Sequence, residues 1–266
     1  MSLTTQAPPN PASGPGVAHY SLAVILGIWA SVTIPMALLA FVAAPALIAR
    51  TSVKPGLVFW MLMVAGMMWQ FVVSVVVLRL ELGTLRWSVV RARIWLNRPL
   101  DPRTGELRRA LWAWAVPAIG ANVVGGMLAA RLDHAWRAVL AGLPEPGYTA
   151  IAGLADPSLK GQWWILALAL TSCLFNYLLG EELLFRGVLL PRMGGVFGRW
   201  DWVANTVLFG LYHLHKIWYL PTILLSSFGF AWATRRYRSL WLGVITHGIE
   251  GFFIVLVLGV ILGTYP

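Results

Sequence analysis

The stretch QWWILALALTSCLFNYLLGEELLFRG, residues 162–187, combines an apolar run of bilayer length with two adjacent acids. About 20 consecutive apolar residues are enough for a helix to cross a bilayer, so this stretch predicts a transmembrane helix. A carboxylate at membrane depth costs on the order of several kcal/mol unless it has a partner. Glu181 and Glu182 therefore indicate a buried ion pair, a functional site, or both.

The composition of the whole chain is that of an integral membrane protein. Hydrophobic residues make up 59% of it and charged residues 11%, and the mean hydropathy is +0.73. Soluble domains carry about 25% charged residues. The net charge of +10 does not indicate nucleic acid, because the Lys and Arg residues flank apolar runs and form no basic stripe on a polar domain. The expected partners are a lipid bilayer and a membrane protein or peptide substrate.

Further apolar runs predict an all-α, polytopic bundle of about seven transmembrane helices plus a cytoplasmic amphipathic helix. The fifth and sixth runs are short for a full crossing. The predicted spans are residues 21–44, 57–78, 110–130, 162–185, 202–215, 218–233 and 240–262.

Residues 1–19, rich in Pro, Gly and Ser, predict a disordered tail, and residues 20–266 a single transmembrane domain. Residues 79–109 interleave arginines with apolar side chains and predict a basic cytoplasmic loop with an amphipathic helix on the membrane face. With the amino terminus inside, the inner loops hold fourteen of the twenty Lys and Arg residues, as the positive-inside rule requires. Residues 162–262 are the candidate catalytic core.

The spacing of the charged residues in the core leaves two interpretations open. Glu182 and Arg186 are four residues apart and can pair on one helix face, whereas Glu181 projects about 100° away. In one interpretation the pair is a structural salt bridge and Glu181 lies at the aqueous boundary. In the other, Arg186 holds one acid and leaves the other free as a general base in a low-dielectric pocket.

Two later runs each contribute a histidine, His213 and His247. A lone histidine in an apolar helix is often only a packed, hydrogen-bonded residue, but histidines on separate spans at depths compatible with Glu181 suggest one cavity. His215, just before Lys216, is predicted to be interfacial. The single cysteine, Cys173, excludes an intrachain disulfide and is predicted to be a small packing residue.

The chain resembles the CPBP family of CAAX proteases and bacteriocin-processing proteins, also called ABI proteins, whose relatives include the Ras-converting CAAX endopeptidase. The family motif E-E-x-x-x-R matches residues 181–186, and F-x-x-x-H matches Phe209 and His213. The third motif is a histidine followed four residues later by Asn or Asp. His247 matches it, but Gly251 stands in the later position.

The resemblance implies a glutamate-type intramembrane endopeptidase in a cell membrane, with the bacterial inner membrane expected. It implies that Glu181 activates water with the help of His213, and that Glu182 and Arg186 order the site. His247 would stabilise the oxyanion. At position 251 a backbone amide, a water molecule or Asn205 would substitute for the absent side chain.

Three alternatives stay open at this point. Gly251 is compatible with a non-catalytic immunity or scaffold protein derived from the family. Two His and one or two Glu are plausible zinc ligands, although no H-E-x-x-H pairing is present and no cofactor is expected. A proton-coupled transporter would use the acids as a relay, but the repeated halves of many transporters are missing.

Overall fold

The computed structural model describes residues 19–149 and 156–264. These residues form helices and loops without a β-strand. All but the last residue of the predicted disordered tail, residues 1–19, lies outside the described part of the chain. The longer helices are α1 (Leu22–Ile48), α2 (Pro55–Leu82), α3 (Trp87–Arg93), α4 (Arg109–Val139), α5 (Trp164–Arg192), α6 (Asp201–Tyr212), α7 (Leu220–Tyr237) and α8 (Leu240–Leu262). Short helical turns occur at Gly147–Thr149, Pro157–Leu159, Gly194–Phe197, Gly198–Trp200 and His213–Tyr219.

Five of these helices, α1, α2, α4, α5 and α8, are long and apolar enough to cross a membrane. The all-helical, multi-pass architecture is therefore confirmed, but the predicted count of seven spans is not. The predicted fifth span is α6, whose 12 residues extend only about 18 Å against a hydrocarbon core of about 30 Å. The predicted sixth span is α7, an 18-residue helix with arginines in its last turn.

Helix α5 is wound irregularly where it carries the paired acids. Phe175–Leu179 and Glu182–Leu189 both form π-helical turns, and the Gly180 N–H bonds the Phe175 carbonyl five residues back at 2.7 Å. A Cβ at Gly180 would lie 2.5 Å from that carbonyl oxygen and 2.9 Å from the Met67 carbonyl of α2. Only glycine permits this close crossing of α5 and α2.

The basic segment 79–109, predicted as a loop with an amphipathic helix on the membrane face, contains a short helix. Only Trp87–Arg93 forms a separate helix there, because α2 continues to Leu82 and the next helix begins at Arg109. Arg93 does not lie on the surface, since only 8% of it is exposed. That an amphipathic helix lies on the cytoplasmic membrane face is not confirmed and stays a prediction.

Arg93 ties α3 to α2 and α5. Its guanidinium donates to both carboxylate oxygens of Glu81, at 2.6 and 2.7 Å, and to the carbonyls of Gly187 and Val188, at 3.1 and 3.0 Å. Pro191, four residues after Gly187, has no N–H to offer that carbonyl. Arg93 thus satisfies backbone groups that the irregular end of α5 leaves open.

The arginine-rich loops meet at one end of the bundle. The Asn97 amide donates to the Arg238 carbonyl at 3.0 Å, and the Leu100 N–H donates to the Tyr237 carbonyl at 2.8 Å. Arg192 at the end of α5 donates to the same Glu81 carboxylate that Arg93 holds. These contacts join the segments predicted as inner loops, although the side of the membrane on which they lie stays a prediction.

Small and polar residues set the position of α7 against α4. A Cβ at Gly125 would lie 2.2 Å from the Leu225 carbonyl, so the two backbones approach closely. The Asn122 side chain accepts from the Gly229 N–H at 2.9 Å, and Asp133 accepts from the N–H and hydroxyl of Thr222 at 3.1 and 2.7 Å. Because α4 holds α7 in this way, Phe230 of α7 has a defined position beside His247 of α8.

We expect Arg93→Gln to destabilise the protein by about 1–3 kcal/mol, because it removes two hydrogen bonds from Glu81 and the donors of two buried carbonyls. Arg91→Gln is the matched control. Arg91 lies on the same helix, is exposed, and donates only to the Leu96 carbonyl at 3.1 Å. Thermal unfolding of the full chain in detergent measures both, and equal unfolding midpoints would contradict the role of Arg93.

Candidate active site

The five residues predicted to form the site come together from three parts of the chain. Glu181, Glu182 and Arg186 lie on the π-helical part of α5, His213 begins the turn after α6, and His247 lies on α8. All five side chains are buried. Glu181 is only 3% exposed, so the interpretation that placed it at the aqueous boundary is wrong.

Glu181 faces both histidines without touching either. His213 Nε2 lies 3.7 Å from Glu181 Oε1, and His247 Nε2 lies 4.0 Å from Glu181 Oε2. Both separations exceed a direct hydrogen bond. With its amide oriented so that nitrogen faces the carboxylate, Asn176 donates to the two oxygens at 3.2 and 3.0 Å. Glu181 is therefore held from one side and open towards the histidines on the other.

Glu182 is enclosed by partners. Its Oε1 lies 3.2 Å from Arg186 Nη1, which confirms the predicted pairing across one helical turn, and 3.0 Å from His247 Nδ1. The Arg186 guanidinium also lies 4.1 Å from the centre of the Phe209 ring and 5.3 Å from that of Phe230. Ring faces attract a cation most strongly where water is excluded, so the aromatic side chains help to keep Arg186 charged and in place.

The hydrogen bonds of the histidines define which ring nitrogen carries a proton. His213 Nδ1 lies 2.8 Å from the Phe209 carbonyl, which can only accept, so Nδ1 donates and Nε2 presents a lone pair towards Glu181. His247 Nδ1 donates in the same way to Glu182. The His247 ring is stacked on Phe230 at 4.4 Å and packed against the edge of Tyr177 at 5.0 Å, which fixes its plane.

A cavity of about 330 Å³ reaches these groups. Glu181, His213 and His247 line its polar end, and aromatic and methionine side chains of α1 and α2 line much of the rest. Lys216, which is exposed, and Glu250, whose side chain is 51% exposed, also line it and define the cavity mouth. The apolar side chains of α1 and α2 that line it are Met36, Phe59, Trp60, Met63 and Met67.

Several residues of this site escaped the sequence analysis. Asn176 lies five residues before Glu181, and a π-helical turn brings residues at this spacing together, whereas a regular 3.6-residue helix does not. His215, predicted to be interfacial, is 4% exposed and stacks on His213 at 5.4 Å, and its depth in the membrane stays a prediction. Cys173 is a free, half-buried thiol that lines the cavity.

Of the proposed substitutes for the absent side chain at position 251, Asn205 does not fit. Its amide donates to the Phe185 carbonyl at 2.7 Å and to the sulfur of Met193 at 3.5 Å, and it does not line the cavity. Gly251 itself lies beside Tyr177, whose ring carbon would be 3.5 Å from an added Cβ. Asn176 is the amide side chain that lines the cavity.

A zinc site is one of the alternatives that the sequence leaves open. Within residues 19–149 and 156–264, no group of three or more His, Cys, Asp or Glu side chains is arranged to hold a metal ion. The Nδ1 atoms of His247 and His213 are bonded to Glu182 and to the Phe209 carbonyl, so the Nε2 atoms are the ones left facing Glu181.

Residues 161–253 match the model of a protein family described as type II CAAX prenyl endopeptidase Rce1-like. This segment is similar to a family of CAAX membrane proteases. The match includes all five predicted site residues, and it confirms the resemblance inferred from their motifs. Searches among curated proteins and among solved structures each found no match. The first 160 residues lie outside the matched segment.

Gly243 provides a test of the Glu182 pocket. A Cβ there would lie 2.4 Å from Glu182 Oε2 and 2.7 Å from the Thr234 hydroxyl, and Glu182 cannot yield because Arg186 and His247 hold it. We expect Gly243→Ala to destabilise the protein by about 1–3 kcal/mol.

The matched control for Gly243→Ala is Gly248→Ala on the same helix, where an added Cβ would meet nothing within 4 Å. Thermal unfolding in detergent distinguishes the two variants. Equal stability of both would show that Glu182 is not held as tightly as its contacts indicate.

Proposed function

We propose that the protein is an intramembrane endopeptidase of a bacterial inner membrane. It hydrolyses a peptide bond of a membrane-associated protein or peptide with a water molecule activated by glutamate and histidine. The observation that carries this proposal is the buried Glu181 carboxylate facing the Nε2 atoms of His213 and His247 at the polar end of a cavity. The similarity of residues 161–253 to a CAAX protease family supports the same reaction class.

Glu181 and His213 are suited to hold the attacking water between them. The carboxylate and the His213 Nε2 lone pair are both acceptors, and 3.7 Å separates them. A water molecule that donates one hydrogen to each is left with an oxygen lone pair to attack a carbonyl carbon. As the C–O bond forms, the water proton passes to Glu181, which then delivers it to the amine nitrogen as the C–N bond breaks.

His247 is suited to stabilise the oxyanion. Because its Nδ1–H is bonded to Glu182, its Nε2 can donate only when the ring carries both protons. Glu182 and the nearby Glu250, 3.7 Å from Nε2, favour that positively charged form. One such donor is worth roughly 3–4 kcal/mol in acyl-transfer enzymes. In this proposal Glu182 and Arg186 orient His247 and take no part in proton transfer.

Asn176 acts as a positioning residue for Glu181. Its two donated hydrogen bonds fix the plane of the carboxylate. The amide thus orients the Glu181 oxygens towards the water molecule.

A non-catalytic role as an immunity or scaffold protein is the second candidate. The observation that favours it is Gly251, which offers no side-chain donor where the related family carries Asn or Asp. In that case the buried acids and histidines would serve structure alone, and substitution of Glu181 would leave the cellular role intact.

We expect Glu181→Gln to lower the rate of peptide cleavage by roughly 10²–10⁴-fold, because the amide keeps the shape but cannot accept the water proton. His213→Gln should also reduce the rate, because the attacking water loses the Nε2 acceptor that holds it beside Glu181. The assay uses the full chain in detergent with a fluorescent peptide library, with and without a chelator. Glu106→Gln, in an exposed loop, is the matched control.

Each outcome of this assay has a definite reading when thermal unfolding shows that the variants are folded. Cleavage lost in both site variants but unaffected by chelator supports the proposal. Cleavage retained in Glu181→Gln rejects the proposal. Cleavage by the wild-type protein that is lost when chelator is added shows that the reaction depends on a metal ion. If Glu181→Gln also preserves the cellular role, the protein is a non-catalytic one.

We expect Asn176→Ala to lower kcat about tenfold with KM unchanged, because Glu181 loses its orientation while the cavity keeps its lining. Cys173→Ala, which changes a half-buried neighbour in the same cavity, should leave both constants unchanged. A rise in KM alone would assign Asn176 to substrate binding instead.

A further inference from the structure

A second cavity lies at the end of the bundle where the arginine-rich loops meet. Its volume is about 660 Å³, and none of its lining residues lines the cavity at Glu181. The walls come from the loop at 100–105, the turn before α6, and the last turns of α7. Five arginines line it: Arg103, Arg199, Arg235, Arg236 and Arg238.

The acids near this cavity do not balance its arginines. Arg235 is paired with Asp201 at 2.5 Å. Asp101, the one acid among the described lining residues, is engaged by the Arg103 N–H at 2.9 Å and by Arg108 at 3.0 Å. These hydrogen bonds, that of the Arg103 N–H first, hold the pKa of Asp101 below its usual range.

Three of the arginines have no carboxylate partner in the described chain: no such group lies within 4.0 Å of Arg103, Arg199 or Arg236. The Arg199 guanidinium lies 5.1 Å from the centre of the Trp200 ring, and Arg236 lies 5.9 Å from that of Tyr237. Contacts with ring faces orient a guanidinium without occupying its N–H groups. The cavity therefore has an excess of positive charge with donors to spare.

We propose that this cavity binds a phosphate-bearing anion, supplied either by the headgroup of an anionic phospholipid or by a free phosphate. Several guanidinium groups around one cavity suit phosphate oxygens, because each can donate two parallel hydrogen bonds. Trp202 and Trp232 also line the cavity, and tryptophan prefers the level of the lipid headgroups. Basic pockets between membrane helices bind anionic headgroups in the same way.

A bound anion would connect three separate parts of the chain. The loop at 100–105 already contacts the end of α7 through the Leu100 N–H and the Tyr237 carbonyl, 2.8 Å apart. An anion shared by Arg103, Arg199 and Arg236 adds a second link between this loop and α7. It also connects both of them to the turn before α6. Binding should therefore raise the thermal stability of the folded protein.

The test uses the purified full chain in detergent micelles. In the first measurement, native mass spectrometry counts the molecules of phosphatidylglycerol and of phosphatidylcholine that the protein retains. In the second, the thermal unfolding of the protein in phosphatidylcholine is compared between inorganic phosphate and chloride at equal ionic strength. The cavity variant combines Arg103→Gln, Arg199→Gln and Arg236→Gln. The matched control combines Arg50→Gln, Arg86→Gln and Arg131→Gln, which are exposed arginines outside the cavity.

We expect the wild-type protein and the control variant to bind either phosphatidylglycerol or inorganic phosphate at least about tenfold more tightly than the cavity variant does. Selective retention of phosphatidylglycerol identifies a lipid headgroup, and stabilisation by inorganic phosphate identifies a free anion. Equal binding by the cavity variant and wild type overturns the proposal. Equal loss in both triple variants also overturns it, because it indicates attraction by net charge alone.

If the triple variant does not fold, single variants still test the proposal. Arg103→Gln alone, in an exposed loop, should weaken binding about twofold to threefold, because one of several donors is lost. Binding unchanged in Arg103→Gln and in the corresponding single variants at Arg199 and Arg236 would overturn the proposal.

Discussion

The burial of two neighbouring carboxylates inside an apolar bundle is the constraint on which the rest of the structure depends. An unpaired charge in such surroundings costs on the order of several kcal/mol. Glu182 is compensated by Arg186 and His247, and Glu181 by the amide of Asn176. Arg186 in turn lies against the ring faces of Phe209 and Phe230. Each compensating group belongs to a different turn or helix, so the charges determine how several elements pack.

The backbone of α5 is adapted to this requirement. Gly180 lets the helix cross α2 closely, and the π-helical turns on either side bring Asn176 to the same side as Glu181. The irregular winding leaves carbonyls near Pro191 without regular partners, and Arg93 supplies the donors from outside the helix. The basic segment 79–109 is thus part of the structure that supports the site, because its Arg93 satisfies the backbone of α5.

Much of the site could be predicted from the sequence, because its chemistry depends on residue types at characteristic spacings. The pairing of Glu182 with Arg186 follows from helical geometry, and histidines in separate apolar runs pointed to a shared cavity. Asn176 and His215 could not be found in this way, since their positions depend on π-helical and 3₁₀ turns in which a period of 3.6 residues does not hold. Hydropathy likewise predicts membrane segments but cannot separate a buried arginine such as Arg93 from a surface one.

The two acids are adjacent in the sequence but are not interchangeable in the structure. One oxygen of Glu182 meets both Arg186 and His247, and the other is packed against Gly243, so no oxygen faces the cavity. Glu181 lines the cavity and has its histidine neighbours beyond hydrogen-bond distance, which leaves room for a small molecule between them. A water molecule can therefore reach Glu181 but not Glu182. This difference in access supports the proposed roles of Glu181 as the base and of Glu182 as the group that orients His247, independently of any motif.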